Sequence, residues 1–382
     1  MSLIPCQRDL FEIPAEIAYF DCAKMSPLLR AARAAGERGL HRKSRPWEIR
    51  ASDFFDEAER VRALAARLIG SAPDDIAIVP AASYGLATAA ANVRVAAGQR
   101  IVLPADDFPS SFHTLRALAE ESGAELVSVA GPDGGDWTAA MLDAIDERTA
   151  LVCVPHVHWM CGSLFDLVAI GRRCRSVGAA LVLDLTQSLG ALPFDLAAVD
   201  PDYLVAASYK WLLGPYSLGF LYVAPRRQDG RPLEQNWIAR AGAEDFRRLT
   251  AYEPRYAVGA RRFDMGERSN FALLPVAGAA IEQLLAWGVA NIAETLRDRT
   301  ADVAARLAPA GIAAMPPEKR APHFLSVRLP GGIDDALAER LAAAHVHVSL
   351  RGEGMRITPH LYNNDDDVDR LVAALTREDV HA

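Results

Sequence analysis

YLVAASYKWLLGPYSLGFLYV, residues 203–223, consists of two apolar runs joined by a short connection rich in polar and aromatic residues. The runs YLVAA (203–207) and GFLYV (219–223) carry the β-branched and aromatic residues of buried strands. Eleven residues separate them, too few for the helical crossover that parallel neighbours require, so an antiparallel hairpin is expected. The connection opens with Ser208, Tyr209 and Lys210 and continues into Trp211. A lysine ending a buried strand ordinarily caps it in water. It is also the side chain that condenses with aldehydes once its surroundings hold it partly neutral.

Five similar runs precede the hairpin: DIAIV (75–79), RIVLP (100–104), ELVSV (125–129), ALVCV (150–154) and ALVLD (180–184). From DIAIV to YLVAA, successive runs begin 23 to 30 residues apart, with room for a loop, a helix and a loop. That rhythm belongs to βαβ units around a mostly parallel sheet. Helices are readable in GLATAAANV after Tyr84 and in FDLVAIGRRCRSVGA after Ser163. Upstream, SDFFDEAERVRALAARLIG reads as a helix with Ser52 as its N-cap and Gly70 as its stop. Phe55, Ala58, Val61, Leu64 and Leu68 share one of its faces. Beyond residue 225 the rhythm breaks, and RRQDGRP and the Arg-rich 240–262 stretch read as surface connections. One helical segment beginning LPVAGAAIEQLLAW then leads to strands expected near 324–328, 345–350 and 355–358. The expected fold class is α/β: a seven-stranded, mostly parallel sheet with one antiparallel strand, followed by a smaller α+β C-terminal domain.

A chain of 382 residues exceeds one comfortable core, which favours two domains. Hydrophobic residues make up 51% and charged residues 24%, the balance of a soluble globular protein. A formal charge of −8 argues against a nucleic-acid surface. MSLIPCQRDLFEIP lacks the basic start and long apolar stretch of a signal peptide, and no run of ~18 apolar residues suggests a membrane partner. The five cysteines, at 6, 22, 153, 161 and 174, are odd in number and lack CxxC spacing. A reducing cytoplasm is therefore the expected location, without a disulfide framework or zinc knuckle.

In open α/β sheets, ligands sit beyond the carboxyl ends of the parallel strands. Three strand ends here carry complementary chemistry. DIAIV leads through PAASYG into a helix, placing Ser83, Tyr84 and backbone N–H groups where a phosphate is favoured. GxGxxG and GxxxxGK[ST] are both missing, so the usual dinucleotide and nucleotide fingerprints are absent. Asp184 closes ALVLD, where an acid either caps the next turn or faces a cation, since unpaired burial is costly. Lys210 completes the set of an anion cradle, a buried acid and an amine. Pyridoxal phosphate needs all three: a lysine for its aldehyde, a carboxylate to keep the pyridine nitrogen protonated, and a phosphate site.

The succession D-x-x-Q (Asp184 to Gln187), S-Y-K-W-x-x-G-P (Ser208 to Pro215) and L-G-F-L-Y-V resembles the class V aminotransferase family. That family belongs to the fold type I pyridoxal-phosphate enzymes, with cysteine desulfurases, kynureninases and isopenicillin N epimerase as relatives. The resemblance runs from YFDCAKMSP (19–27) to MRITPHLYNNDDDVDRL (355–371) in the expected order. It implies an N-terminal segment (1–25) packing on the small domain, a large cofactor-binding domain (26–255) and a small C-terminal domain (256–382). Lys210 would form the aldimine with pyridoxal 5'-phosphate and shuttle the substrate α-proton. Asp184 would pair with the ring nitrogen, and Gln187 would hydrogen-bond the phenolate oxygen. Ser83, Ser208 and Tyr209 would hold the phosphate, helped by the turn at Ala82 and Tyr84. Phe108, in DDFPSSF, resembles the ring-stacking aromatic of kynureninases, where desulfurases use a histidine. Arg356 matches the arginine that grips the substrate α-carboxylate as a bidentate fork, and His158 is a further substrate-binding candidate.

The departures from the family pattern are specific. PHVHWMCG puts Trp159 where many members have asparagine, and its indole N–H is expected to donate to the phenolate oxygen. Tyr209 replaces the histidine common before the lysine, as in kynureninases, whereas Gln187 departs from kynureninases toward transaminases and desulfurases. Desulfurases of this family carry a persulfide cysteine between the R-x-G stretch and the final arginine. LRGEGMRITPH passes from Arg351 to Arg356 without one.

The expected activity is transamination of a small amino acid by a cytoplasmic homodimer with active sites near its interface. A C–S or C–C lyase begins with the same α-proton removal and stays open as the alternative. A non-catalytic ligand sensor is disfavoured by Lys210, Asp184 and Arg356 together. His156 and His158 would share a strand face, but no third ligand is suitably spaced, so no metal is expected. Trp237 has two open accounts, reaching the partner's active site or anchoring an interface. For Arg356 the competing account is a surface salt bridge to the acids at 365–367.

Overall fold

Strands apolar at every position, such as ALVCV and YLVAA, need cover on both faces. The protein supplies it with helices on either side of one sheet. The computed structural model describes residues 2–131, 136–329, 332–333, 335–351 and 354–376. Strand β1 (Ala18–Tyr19) and helices α1 (Arg30–Lys43) and α2 (Asp56–Ile69) come first. Strands β2 (Ile76–Val79), β3 (Arg100–Pro104), β4 (Glu125–Val129), β5 (Thr149–Pro155), β6 (Ala180–Asp184), β7 (Tyr203–Ala207) and β8 (Gly219–Val223) then build the sheet. Helices α3 (Ala82–Ala90), α4 (Pro109–Ser122), α5 (Trp137–Ala144), α6 (Leu167–Val177) and α7 (Leu196–Val199) lie between them in sequence.

All seven apolar runs are strands, in the spatial order β2-β8-β7-β6-β5-β3-β4. β8 is antiparallel to both neighbours and every other pairing is parallel. The hairpin sets Tyr203 opposite Val223 and Ala207 opposite Gly219. Along β5, Val152 and Val154 enter one core while Leu151 and Cys153 enter the core on the other face.

Helix α2 ends as expected, at Gly70 with φ +85°, but begins at Asp56. Ser52 is not its N-cap; it lies in a 3-10 turn, Ala51–Phe54, where Asp53 accepts the Arg50 N–H at 2.7 Å. Phe54 packs edge-on against Trp237, Phe246 and Phe271, at centroid distances of 5.4 to 6.4 Å. Tertiary packing there outweighs a local cap.

The expected single helical segment is two helices, α8 (Leu273–Trp287) and α9 (Val289–Leu307), bent by 76° at Gly288. Among the described residues no single helix is long and apolar enough to cross a membrane. Helix α8 packs on α1 and α2, so its residues Leu274 to Leu284 share the core of the large sheet. Further along α9, Val303 and Leu307 enter a second core with Leu325, Met355, Ile357 and Leu371. That core covers a four-stranded antiparallel sheet of β9 (Ala313–Ala314), β10 (Leu325–Arg328), β12 (Ser349–Arg351) and β13 (Gly354–Ile357), in the order β12-β13-β10-β9. Helices α10 (Asp335–Ala343) and α11 (Asp365–Thr376) flank it. The N-terminal segment joins this unit: β1 pairs in parallel with β11 (Val346–His347), and Phe20 N–H donates to His347 O at 2.8 Å.

The Arg-rich connection is partly internal. Asp264, fully buried, takes Arg62 in a two-point contact (3.1 and 2.8 Å) and the Ile78 N–H (2.7 Å), with Arg268 Nε 2.8 Å away. The cluster ties α2 and β2 to the segment leading into α8.

Candidate active site

The carboxyl ends of β2, β3, β5, β6 and β7 open on one cavity of about 340 Å³. Each strand delivers a different group to it. After β2, Ala81 is still extended and α3 begins at once, so the first-turn amides of Ala82 and Ser83 have no acceptor among the described residues. Gly85 lets this helix lie directly on the sheet, since a Cβ there would meet Val205 Cγ1 of β7 at 2.5 Å. Ser83 and Ala82 line the cavity, opposite Tyr216 and Ser217 from the hairpin loop.

From β7, Lys210 enters the cavity and is only 7% exposed. Trp211, wholly buried, fixes it in place by donating Nε1–H to Gln187 Oε1 at 3.0 Å. Lys210 Nζ sits 5.6 Å from the ring centroids of both Phe108 and Tyr209. Burial pushes its ammonium down to about 8, against the opposing pull of Asp184. Roughly a quarter of such a lysine is neutral at pH 7.5, against about 0.1% of a free one.

From β6 comes Asp184, whose Oδ1 accepts the Thr186 N–H at 2.8 Å. Burial pushes its carboxyl up, while Thr186 and Lys210 act in the other direction. Thr186 Oγ1 accepts the Ala207 N–H at 3.1 Å, locking the β6 loop to β7. Gln187 donates to Ala23 O at 3.1 Å and keeps a second amide hydrogen for the cavity it lines. Phe108, the residue before α4, presents its ring to the cavity and meets Trp159 edge-on at 5.5 Å.

Four expected contributors are engaged elsewhere. Ser208 does not line the cavity, because its hydroxyl donates to Pro215 O at 2.6 Å within the hairpin loop. Tyr84 packs against the sheet, with its phenol hydrogen-bonded to Glu234 and pushed up by burial. Trp159 lines the cavity with its ring, but its N–H donates to Asp106 O at 2.7 Å instead of facing the cavity. His158 lies beneath, stacked on Trp137 at 4.8 Å, with Nε2 3.3 Å from Ala105 O and Nδ1 3.3 Å from Cys161 Sγ.

Arg356 comes from the second unit. Met355 and Ile357 face its core, so Arg356 points the other way, toward the large sheet, and is 2% exposed. It donates to Trp159 O at 2.8 Å and Ser349 Oγ at 3.0 Å, lies 3.8 Å from Asp21, and leaves Nε without a partner among the described residues. Burial pushes the guanidinium down to about 10. Trp159 separates it from the cavity lining, its ring 5.9 Å from the guanidinium carbon. Two of the acids proposed as rival partners are taken, Asp365 by Arg299 and Asp367 by Arg8.

Residues 23–371 match the family Aminotransferase class-V. The chain belongs to the class-V aminotransferase family. An uncharacterized aminotransferase of Bacillus subtilis is 28% identical over 334 residues, 86% of each chain. A kynureninase of Deinococcus radiodurans is 30% identical over 271 residues, 68% of this chain and 64% of the relative. Among solved structures, the apo cysteine desulfurase of Thermococcus onnurineus superposes with a TM-score of 0.85 over 98% of each chain, at 20% identity. At that identity it shows the shared fold.

Class-V aminotransferases depend on pyridoxal 5'-phosphate, and the residues present fit that group. The free α3 amides suit its phosphate, Asp184 suits a protonated ring nitrogen, and Lys210 suits its aldehyde. Among the described residues no three His, Cys, Asp or Glu side chains gather as metal ligands. In this class-V site Asp107, Thr186, Tyr216 and Ser217 also line the cavity, and sequence reasoning missed all four. The signal for Asp107 was available, because it follows the end of β3 as Asp184 ends β6, but two aspartates before an aromatic also suit a turn.

Proposed function

We propose that this protein is a pyridoxal-phosphate-dependent transaminase acting on a small amino acid, and that it works as a homodimer. The observation that carries this proposal is a buried Lys210 in one cavity with Asp184 and the free amides of α3. The cofactor supplies an aldehyde carbon for the amino group and a ring that accepts the electron pair left when the α-proton departs.

The chain's own residues do the rest. The α3 amides and Ser83 hold the phosphate. Asp184 would hold a proton on the ring nitrogen, Gln187 would donate to the phenolate oxygen, and Phe108 would pack against the ring. Lys210 would take the proton from the substrate α-carbon on its neutral amine and give it back as its ammonium, the proton shuttle that transamination needs, while water supplies the oxygen of the departing keto acid. Arg356 grips the α-carboxylate after exchanging its Trp159 carbonyl contact for the substrate. The aminotransferase relative matched over 86% of the chain supports group transfer over lysis. No cysteine lines the cavity among the described residues, which weighs against a sulfur relay; Cys161 Sγ faces His158 and Ser163.

A panel of amino acids, watched by visible absorbance with and without a keto-acid acceptor, tests the activity. The expected result is one donor keto acid per aminated acceptor, with multiple turnover only when acceptor is present. Acceptor-independent release of ammonia, thiol or a β-fragment would overturn it in favour of a lyase. The dimer is supported by Trp237, Phe246, Leu249, Tyr252 and Val258, which are exposed together on one connection. Light scattering should give twice the 41.3 kDa chain mass, and a stable monomer would overturn the dimer.

A further inference from the structure

The cavity holds one buried acid that the steps above leave without a task. Asp107 lines the same cavity as Asp184 and Lys210. Its Oδ1 accepts the N–H of Phe108 at 2.7 Å, while its Oδ2 is buried and has no hydrogen bond of standard geometry among the described residues. Ser111 Oγ, in the first turn of α4, is fully buried and faces the Asp107 carboxyl, without a hydrogen bond of standard geometry among the described residues. The groups facing Asp107 are Asp184 from β6, Cys153 within β5, His158 beyond β5, and Phe108 and Ser111 at the start of α4. His158 has its ring nitrogens directed at Ala105 O and Cys161 Sγ, so it forms no direct pair with Asp107.

Two acids sharing one dry site do not both ionise readily, and the one with the bare oxygen keeps its proton more easily. We propose that Asp107 is a neutral, proton-bearing acid beside Asp184, a positioning residue that leaves Asp184 as the single anion at that end of the cavity. The proposal rests on the reading that Asp184 meets the ring nitrogen of bound pyridoxal phosphate. One negative charge then faces one protonated nitrogen, and the Asp107 hydroxyl can donate to Ser111. Burial, with Asp184 adding to it, pushes the Asp107 carboxyl up to about 7, against the Phe108 N–H, His158 and Ser111, which favour the anion.

The test uses the full chain stripped of cofactor, with Asp107→Asn as a neutral mimic and Asp107→Ala as the deletion. The infrared difference between wild type and Asp107→Asn at pH 6 should contain a protonated carboxylic-acid C=O band, and its absence would overturn the proposal. A proton kept in the folded state but lost in the unfolded state costs stability as pH rises from 4 toward 7. The thermal midpoint of Asp107→Asn should therefore gain on wild type between pH 5 and pH 8; a constant difference would also overturn it. In titrations with pyridoxal phosphate at pH 6.5, Asp107→Asn should bind within about threefold of wild type and Asp107→Ala about tenfold more weakly. An Asn variant weakened tenfold would show that Asp107 works as an anion. An Ala variant binding like wild type would reduce it to a turn residue. A wild-type protein that takes up no pyridoxal phosphate would sink the assignment of the cavity, while the infrared band would still decide the state of Asp107.

Discussion

Lys210 can act as a nucleophile or base only while its amine is neutral, and its burial supplies that condition. Uptake of pyridoxal phosphate by the stripped protein should accelerate with pH through about 8 and then level, as followed by stopped-flow absorbance. Borohydride should fix the cofactor to Lys210, and Lys210→Ala should lose turnover while keeping noncovalent cofactor. A label on another lysine, found by peptide mapping, would contradict this role. Asp184→Ala leaves a cation unpaired at ~3–5 kcal/mol, which slows the chemical step by roughly 10²–10⁴. Near-normal turnover would leave Asp184 as a cap for the Thr186 turn. Arg356→Lys keeps the charge but loses the fork that reaches Trp159 O and Ser349. A loss of ~1.5–3 kcal/mol in carboxylate binding should raise the apparent substrate constant about ten- to a hundredfold. Absorbance of the bound cofactor without substrate should barely move, because Arg356 does not line the cavity. Equal losses toward amino acids and toward amines lacking a carboxylate would reject the role.

Helix α3 offers its amides to the cavity only because it lies flat on β7. Gly85→Ala places a Cβ 2.5 Å from Val205 Cγ1, so the helix must lift or the valine must shift. Overpacking of this kind costs ~1–3 kcal/mol, and lifting the helix should weaken cofactor binding in parallel. Denaturant midpoints and cofactor titrations on the same variant check whether the two losses travel together. Beside the edge strand β2, Asp264 is the shared partner of Arg62 and Arg268, all three buried. Asp264→Asn removes the charge and should cost ~3–5 kcal/mol. Asp200→Asn, at the half-exposed pair with Arg226, should cost under about 1 kcal/mol. Comparable denaturant shifts in the two variants would show that burial is not what gives the Asp264 cluster its weight.

Across the whole molecule, His156, His323 and His360 weaken the fold as pH falls. Burial pushes His156 and His360 down to about 3 and His323 to about 4, so all are neutral in the folded protein. An unfolded chain takes up their protons from pH ~6.5 downward, whereas the native chain does not until about 3 to 4. Stability therefore falls as pH drops below 6.5, by up to ~1.4 kcal/mol per pH unit for each histidine. Asp107, Asp184 and Asp21, whose carboxyls burial pushes up, work oppositely, as does His158, raised against burial by its Cys161 contact. The histidine contribution is therefore read as the difference between wild type and a histidine variant. Thermal midpoints should decline between pH 6 and pH 5, and His360→Phe should flatten the decline. His360 suits that swap because both ring nitrogens lack partners and its neighbours Trp211, Trp287 and Tyr362 are aromatic. An unchanged slope in that variant would remove His360 from the account.

Apolar runs at regular spacing determined the seven strands, and the short gap before GFLYV determined the hairpin, because periodicity and loop length are local properties of the chain. The same locality made Lys210, Asp184 and the α3 N-terminus legible, since each follows directly from where a strand stops. Which polar side chains remain free was decided only in three dimensions. Ser208 loses its hydroxyl to Pro215 O, Trp159 its N–H to Asp106 O, and His158 its exposure to Trp137, all through loop geometry that composition does not encode. Asp107 became a candidate only once β3 and β6 stood near each other in one sheet and left its outer oxygen bare. Ser52 yielded its cap to the packing of Phe54, and Asp21 reached Arg356 from the far end of the chain. A sequence shows the groups a chain can offer, but competition among neighbours distant in sequence decides which are spent on structure and which are left for a ligand.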